Sequence, residues 1–311
     1  MKAMTLQQME YVLALDNYRH FVRAAESCGV SQSTLSTLIR KLEEELDTVI
    51  FDRDAHPLKP TPAGEKVIAQ ARVVLYNSQQ LKEIALAEKK QTAGEVRLAV
   101  IPTVAPYIVP KLFRQLKADN PELQPIITEL QTPEILSKLS RAELDIAIMA
   151  TPLEQPKLLE VPLYYEKLVL YVSPEEKLAR KSAVPSHDIP SERLWLLKEG
   201  HCLRNQVLNL CDIVPDQKAV YESGSIGTLV AIVNENGGHT VIPELHIGLL
   251  REDQKLNVRP LVDPEPVREI SLVIRNDFVK EGILNEIASA VKKIIPEKMI
   301  DSRLKKFAIR L

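Results

Sequence analysis

Two of the three cysteines in this 311-residue chain close one short segment, residues 199–211, which reads EGHCLRNQVLNLC. Cys202 follows His201, Arg204 stands two residues on, and Cys211 comes nine positions after Cys202. A thiol beside basic side chains is a setting that favours the thiolate, the form that attacks peroxides and disulfides and binds metals. The spacing adds a constraint. If the segment is helical, a rise of about 1.5 Å per residue holds the two Cα atoms roughly 13 Å apart, whereas a disulfide needs about 5.5 Å. Either the two thiols are unrelated small buried hydrophobes, as cysteines commonly are, or the segment has two conformations. A zinc centre on His201, Cys202 and Cys211 lacks a fourth ligand at recognisable spacing. Cys28 reads as core of a helix, and His20, His56, His187 and His239 as structural or exposed.

Composition frames what this thiol pair can serve. The chain is 45% hydrophobic and 26% charged, ordinary for a soluble protein of two or three domains. No run approaches the roughly 18 apolar residues of a membrane helix, and the start, MKAMTLQQME, has no apolar signal-peptide core. Three cysteines do not make a secreted disulfide framework. The expected location is the cytoplasm, where a disulfide is transient and regulatory. Net charge is −2, and the first 60 residues carry seven Lys/Arg against nine Asp/Glu. Bulk charge therefore announces no polyanion partner, and DNA binding must rest on pattern.

The pattern is there. Thr5 and Gln8 form a capping box opening a first helix with Leu6, Met9 and Leu13 on one face. A second short helix from Phe21 stops at Gly29, a natural C′ residue. Ser31 caps a third, QSTLSTLIRKLEEEL, whose Leu35, Leu38, Ile39, Leu42 and Leu46 form one apolar stripe. Its other face carries Gln32, Ser33, Thr34, Ser36, Thr37 and Arg40. Two helices joined by a short Gly-containing turn, the second bearing short polar side chains, predict a helix-turn-helix; a small helical bundle with a solvated face fits the same periodicity. Next, TVIFDR and LKP predict the two strands of a wing, with Arg53 and Lys59 able to reach phosphates. Thr61 and Pro62 then start a long helix running to about Lys90. Its Val67, Ala71, Val74, Ser78, Leu81 and Ala85 alternate spacings of four and three, a coiled-coil seam that calls for a partner chain.

QTAGE at 91–95 reads as a hinge, after which strands alternate with helices. EVRLAVI, QPIITEL, LDIAIMA and YYEKLVLYVS are predicted strands, and PEILSKLSRAEL and SIGTLVAIVNEN predicted helices, an α/β region with parallel-type crossovers. Ligands of such sheets sit beyond the carboxyl ends of strands, where Thr103 and Thr132 fall. The tail from Lys292 is basic and amphipathic and reads as a solvated terminal helix.

FVRAAESCGVSQSTLSTLIRKLEEEL, then FDR, then TPAG, together resemble the N-terminal domain of LysR-type transcriptional regulators. The resemblance covers the whole chain. It implies a winged helix-turn-helix over residues 1–61, a dimerising linker helix over 62–92, and a regulatory region over 93–311. That region would be two α/β subdomains of the periplasmic-binding-protein kind. It also implies that Gln32, Ser33, Thr34, Ser36, Thr37, Arg40 and Arg53 contact DNA. The partners implied are double-stranded DNA with inverted-repeat sites, RNA polymerase, and further copies of the chain, as a dimer of dimers.

Within the family, IPTVAPYIVP, GHCLRNQ with its distant cysteine, and PEPVREISLV are similar to peroxide-sensing members. The resemblance implies that hydrogen peroxide is the signal, with no cofactor, no metal and no enzymatic turnover. Cys202 would become a sulfenic acid at a thiolate of lowered pKa and be resolved by Cys211. Thr103, Thr132 and His201 would hold the peroxide, with Arg268 beside them. Two other classes remain open: a LysR-type regulator taking a small organic co-inducer between its subdomains, and a thiol peroxidase or Cys/His hydrolase, which leaves residues 5–90 unexplained. The chain departs from the usual family pattern at Ser33, often Pro, at Asp47, usually Gly, and at Val267, often basic in peroxide sensors.

Overall fold

In the computed structural model, which describes residues 4–87, 94–211 and 222–300, the chain opens on the expected capping box. The Thr5 hydroxyl accepts from the Gln8 N–H at 3.2 Å, and the Gln8 side chain accepts from the Thr5 N–H at 2.9 Å. Helix α1 (Leu6–Tyr18) leads to α2 (Phe21–Ser27) and α3 (Gln32–Glu45). The buried face of α1 is Gln8, Tyr11, Val12 and Leu15, while Leu6 is 43% exposed. The expected Leu6–Met9–Leu13 face is thus displaced, because Tyr11, Val12 and Leu15 set a denser i, i+1, i+4 apolar patch against α2 and α3. On α3 the stripe lies as its spacing demands, with Leu35, Ile39 and Leu42 buried and Leu38 and Leu46 packed at the edge. Asp47 holds φ 47°, a left-handed conformation that Asp tolerates better than most residues.

Strands β1 (Phe51–Asp52) and β2 (Lys59–Pro60) pair antiparallel as the wing. Helix α4 (Pro62–Ala87) follows directly, and the Thr61 hydroxyl joins the two. It accepts from the Gly64 N–H at 2.9 Å and donates to the Val49 carbonyl at 2.7 Å. A Cβ at Gly64 would stand 1.9 Å from the Ile50 carbonyl oxygen, so only glycine lets α4 run this close to the wing. Of the expected seam, Val67 packs on the helix-turn-helix core and Ala71 is buried, whereas Leu81 is 70% exposed. The first half of the seam is therefore covered within the chain. Residues 88–92 of the expected linker, and the Ala85 side chain, lie outside the described residues.

Two compact units result, Met1–Gln91 with Ser140–Glu143, and Thr92–Leu139 with Leu144–Leu311. The second begins with β3 (Gly94–Val100), α5 (Ala105–Asp119), β4 (Leu123–Glu129), α6 (Thr132–Ser140), β5 (Ile146–Thr151) and β6 (Leu158–Val172). It continues through β7 (Val184–Pro185), β8 (Leu196–Leu197), α7 (Cys202–Leu210), β9 (Glu222–Ser223) and α8 (Ile226–Asn236). It ends with β10 (His239–Pro243), α9 (Glu252–Lys255), β11 (Val258–Val262), β12 (Val267–Arg275) and α10 (Glu281–Ile294).

The sheet order is β4-β3-β5-β12-β6-β11-β7, with β10 also on β6. In this sheet β3 pairs in parallel with β4 and β5, and β11 with β7, while β12 and β6 run antiparallel to each other and to β5 and β10 respectively. The parallel-crossover expectation holds for the first three strands, and the return strands break it. Strand β6 serves two lobes: residues 158–167 pair with β12, and 168–172 pair with β10. Each lobe has its own apolar core. The first gathers β3, β5, β12, α5 and α10, and the second gathers the end of β6 with α7, α8 and β10. The chain end differs from expectation. Helix α10 stops at Ile294, before Pro296, and Ile295 and Met299 sink into the first core rather than lying in solvent. Residues 301–311 lie outside the described residues.

Candidate functional site

Cys202 is the first residue of α7, and its side chain, 6% exposed, belongs to the core of the first lobe. The next apolar residues on the same helix, Leu203 and Val207, belong to the core of the second. The helix start thus spans the junction of the lobes. Cys211 is the C-cap of α7, half-buried against the second core, and neither cysteine is in a disulfide. One helix of nine residues holds them apart, and at about 1.5 Å per residue they are well beyond disulfide reach.

Thr132 and Arg268 act on the sulfur directly, and Thr103 stands on Arg268. Thr103 sits just past the carboxyl end of β3 and is buried; Thr132 is the first residue of α6, just past β4. Both occupy the strand ends where open sheets take ligands. Arg268 comes from β12 and is fully buried. Burial pushes the Cys202 thiol up; the Arg268 charge, the Thr132 hydroxyl and the amides of Leu203 and Cys202 itself pull it down. Burial is the larger effect, which corrects the expectation of a lowered pKa. The favourable groups are in place, but a sulfur removed from water favours its neutral form.

His201 does not supply positive charge. It is buried, and burial first, then the nearby Lys198 charge, push its pKa below the ordinary histidine value. Its Nε2 lies 3.1 Å from the Gln131 amide nitrogen, so the amide donates and the ring proton resides on Nδ1, which no described group accepts. Gly200, at φ +92°, makes this contact possible, because a Cβ there would meet the Gln131 oxygen at 2.4 Å. Arg204 turns away from the thiol: it donates to the Leu197 carbonyl at 2.8 Å and pairs with Glu222 at 2.9 Å.

Arg268 is held by Thr103 and by two residues that sequence spacing did not single out, Glu166 and Tyr107. Its Nε and Nη2 both donate to Glu166 Oε1, at 2.8 and 2.5 Å. Its Nη1 donates to the Thr103 hydroxyl at 3.0 Å, and Nη2 donates to the Thr103 carbonyl at 3.0 Å and to the Tyr107 hydroxyl at 2.7 Å. The pair with Glu166 raises the already high guanidinium pKa, so Arg268 stays charged. Burial pushes the Glu166 carboxyl up, opposed by Arg268 and by the Tyr107 hydroxyl at 2.8 Å. Several buried polar atoms here have no hydrogen bond to another described group: Glu166 Oε2, Tyr164 Oη, His201 Nδ1, His246 Nδ1 and both amide atoms of Gln206. Glu166 carried one visible signal, a lone acid within the apolar run LYYEKLVLYV. Tyr107 lies one helical turn after Thr103; Gln131 and His246 carried none. Among the described residues no group of three or more His, Cys, Asp or Glu is placed to hold a metal ion.

The second constellation lies on α3 and the wing. Gln32, Ser33, Thr34, Thr37 and Arg40 are exposed and Ser36 is half-buried. The Ser31 hydroxyl lies 2.9 Å from that of Ser33 and 2.8 Å from that of Thr34, one hydroxyl cluster at the helix start. Arg40 pairs loosely with Glu44 in solvent, at 3.1 Å. Arg53 is less free than the wing reading expects. It pairs with Glu43 at 2.9 Å and stands 5.8 Å over the Phe21 ring. The other Glu43 oxygen accepts from the Ile50 and Phe51 N–H groups at 2.8 and 3.2 Å, so this carboxylate ties the wing to α3.

Comparison with known proteins gives these two constellations a family. Residues 6–65 match the bacterial regulatory helix-turn-helix protein, lysR family, and residues 89–281 match the LysR substrate binding domain. The chain is 38% identical to the hydrogen peroxide-inducible genes activator of Haemophilus influenzae, over 93% of this chain and 96% of that protein. A full-length OxyR variant from Pseudomonas aeruginosa superposes with a TM-score of 0.79 at 33% identity, covering 93% of this chain and 98% of that one. An H2O2-bound OxyR mutant of Corynebacterium glutamicum gives 0.62 at 28% identity, covering 93% and 92%. The two family matches take in α3 with the wing and the surroundings of Cys202 alike, and the chain belongs to the LysR family of transcriptional regulators.

Proposed function

We propose that this chain is a transcriptional regulator that responds to hydrogen peroxide through Cys202 and Cys211. The observation that carries the reading is the buried thiol at the start of α7, facing Thr132 and Arg268, with a second thiol at the far end of the same helix. The similarity to a peroxide-inducible activator and to a peroxide-bound structure supports it.

Thr103, Thr132 and His201 hold the peroxide, and the thiolate sulfur attacks one oxygen. The O–O bond breaks, the sulfur loses two electrons and becomes a sulfenic acid, and the other oxygen leaves as hydroxide and takes a proton to become water. Cys211 then attacks the sulfenic sulfur, a second water leaves, and the disulfide forms. Because α7 keeps the two sulfurs apart, closing that bond requires the helix to unwind. The covalent event is thereby a change of shape in both lobes, since α7 contributes to both cores.

The reading extends to the assembly. The domains act as helix-turn-helix over 1–61, dimerising linker over 62–92 and sensor over 93–311, in the cytoplasm and without enzymatic turnover. A dimer of dimers presents paired α3 helices to inverted-repeat DNA, and the shape change alters contact with RNA polymerase. Gln32, Ser33, Thr34, Ser36, Thr37 and Arg40 face the groove, with Arg53 at the flanking backbone. The deciding experiment is mass spectrometry of the protein after stoichiometric peroxide, with promoter footprinting alongside. A Cys202–Cys211 link with a changed footprint is the expected result. A changed footprint on adding an organic metabolite, with both thiols still titrating as free, would establish the co-inducer reading instead.

A further inference from the structure

Arg268 is fully buried beside the thiol, yet its described hydrogen bonds go to Glu166, Thr103 and Tyr107 and none to the sulfur. Glu166 is as deeply buried and meets it with one oxygen, which also takes the Tyr107 hydroxyl. Two consequences follow from this wiring. The Thr103 hydroxyl, already accepting from Arg268, has its own proton left to donate, and no described acceptor takes it. The guanidinium also has a counterion, so the thiol need not become one.

We propose that Glu166 is a positioning residue that makes Cys202 selective for a hydroperoxide over other thiol-reactive electrophiles. It fixes Arg268 on Thr103, which turns the Thr103 hydroxyl into an oriented donor for a peroxide oxygen. It also leaves the sulfur a poor nucleophile toward anything that does not use that donor. The inference rests on the peroxide reading above and deepens it.

Neutralising the Glu166 carboxylate leaves the guanidinium without its ion-pair partner. A buried cation whose partner is removed is strongly unfavourable, and the structure must find it another anion. The protonated acids that interact with Arg268 are Tyr107, Tyr164 and Cys202. Burial raises both phenols well above their ordinary value, and a thiol is intrinsically the stronger acid. The neighbouring histidines, His201 and His246, are held neutral by burial and cannot take a negative charge. Cys202 therefore ionises as the replacement counterion. The sulfur gains nucleophilicity while Thr103 loses its fixed geometry.

The test uses the reduced full chain carrying Cys28→Ser and Cys211→Ser, so that Cys202 alone reports. Alkylation by iodoacetamide and oxidation by hydrogen peroxide are timed at neutral pH with and without Glu166→Gln. The variant should alkylate about tenfold faster, the effect of one pKa unit on the thiolate fraction. Its peroxide-to-alkylation rate ratio should fall about a hundredfold, as expected when an oriented donor is lost. Unchanged alkylation with an unchanged ratio would overturn the proposal and leave Glu166 a purely structural residue. If Glu166→Gln fails to fold, Glu166→Asp keeps the charge but moves it: parent-like alkylation with a lowered ratio supports the proposal, and a parent-like ratio overturns it. A parent protein with no preference for peroxide would instead sink the sensing function, while the alkylation difference would still be readable.

Discussion

At Cys202 burial and positive charge oppose each other, and burial is the larger. A sensor built this way cannot depend on ionisation alone and must act on the peroxide. On the proposed reading Thr103 does so, since Arg268 occupies its lone pair and frees its proton. Thr103→Val keeps the shape and removes the donor. Stopped-flow oxidation of Cys202 should slow by about 10²–10³-fold, while the thiol pKa from pH-dependent alkylation stays near that of the parent. His246 carries a separate, pH-linked consequence. Burial and then Arg268 lower its pKa to about 4, against about 6.5 in an unfolded chain. A group with a depressed folded pKa lends stability above its unfolded pKa and loses it as pH falls toward the folded one. Urea unfolding of the parent should thus lose about 2 kcal/mol between pH 7 and pH 5 that a His246→Leu variant does not lose. Of these residues, Thr103, Thr132, His201 and Arg268 were legible because each sits in a short recognisable stretch. Glu166 and Arg268 are 102 residues apart in sequence, and only the adjacency of β6 and β12 joins them. The charge state of His201 was not legible in the same way: it depends on burial, which local sequence does not carry.

Helix α7 is the element on which the switch depends. Oxidation to a Cys202–Cys211 disulfide cannot be accommodated by a helix that begins at one cysteine and ends at the other. Hydrogen exchange should therefore show the amides of residues 203–210 well protected in the reduced protein and exposed after peroxide treatment, with α8 and β6 largely unchanged. Retained protection alongside a mass-confirmed disulfide would mean that the bond forms between chains. Helix α3 carries the other elementary prediction. Gln32→Ala should cost about 1–3 kcal/mol on a specific site and little on random DNA if Gln32 reads a base. Arg53→Ala should weaken both alike and reduce the salt slope, and, since Arg53 also pairs with the buried Glu43, it should lower the thermal midpoint of the DNA-binding unit. Equal losses on both DNAs for both variants would dissolve the distinction between base and backbone roles. Element boundaries were legible wherever a cap marked them, as at Thr5, Ser31 and Thr61. Faces and strand directions were less so. Two apolar sets compete on α1, and only packing against α2 and α3 selects Tyr11, Val12 and Leu15. The direction of β12 depends on where a strand more than a hundred residues earlier has already been laid, which no local pattern encodes.

On the scale of the whole molecule, the near-zero net charge sets the problem. A chain of net charge −2 has little non-specific attraction for DNA, so on the proposed reading useful affinity comes from presenting two recognition helices at once. One helix-turn-helix covers one half-site, and an inverted repeat needs two in fixed relation. Helix α4 is the element long enough to set that relation, at 26 residues or about 39 Å. Its seam divides in two: Val67 packs on the chain's own helix-turn-helix core and Ala71 is buried, whereas Leu81 remains 70% exposed. A large aliphatic side chain left in water on a regular helix is the place to expect the partner. Leu81→Asp sets like charges against each other across a two-fold contact without touching the core of either unit. Sedimentation should then give a smaller species, with binding to an inverted-repeat duplex weakened at least tenfold, about 1.4 kcal/mol, and binding to a single half-site unchanged. Weakening on the half-site as well would place the damage inside the DNA-binding unit. An unaltered assembly would show that the copies meet elsewhere, and that the exposed turn of α4 around Leu81 is not where the two recognition helices are tied together.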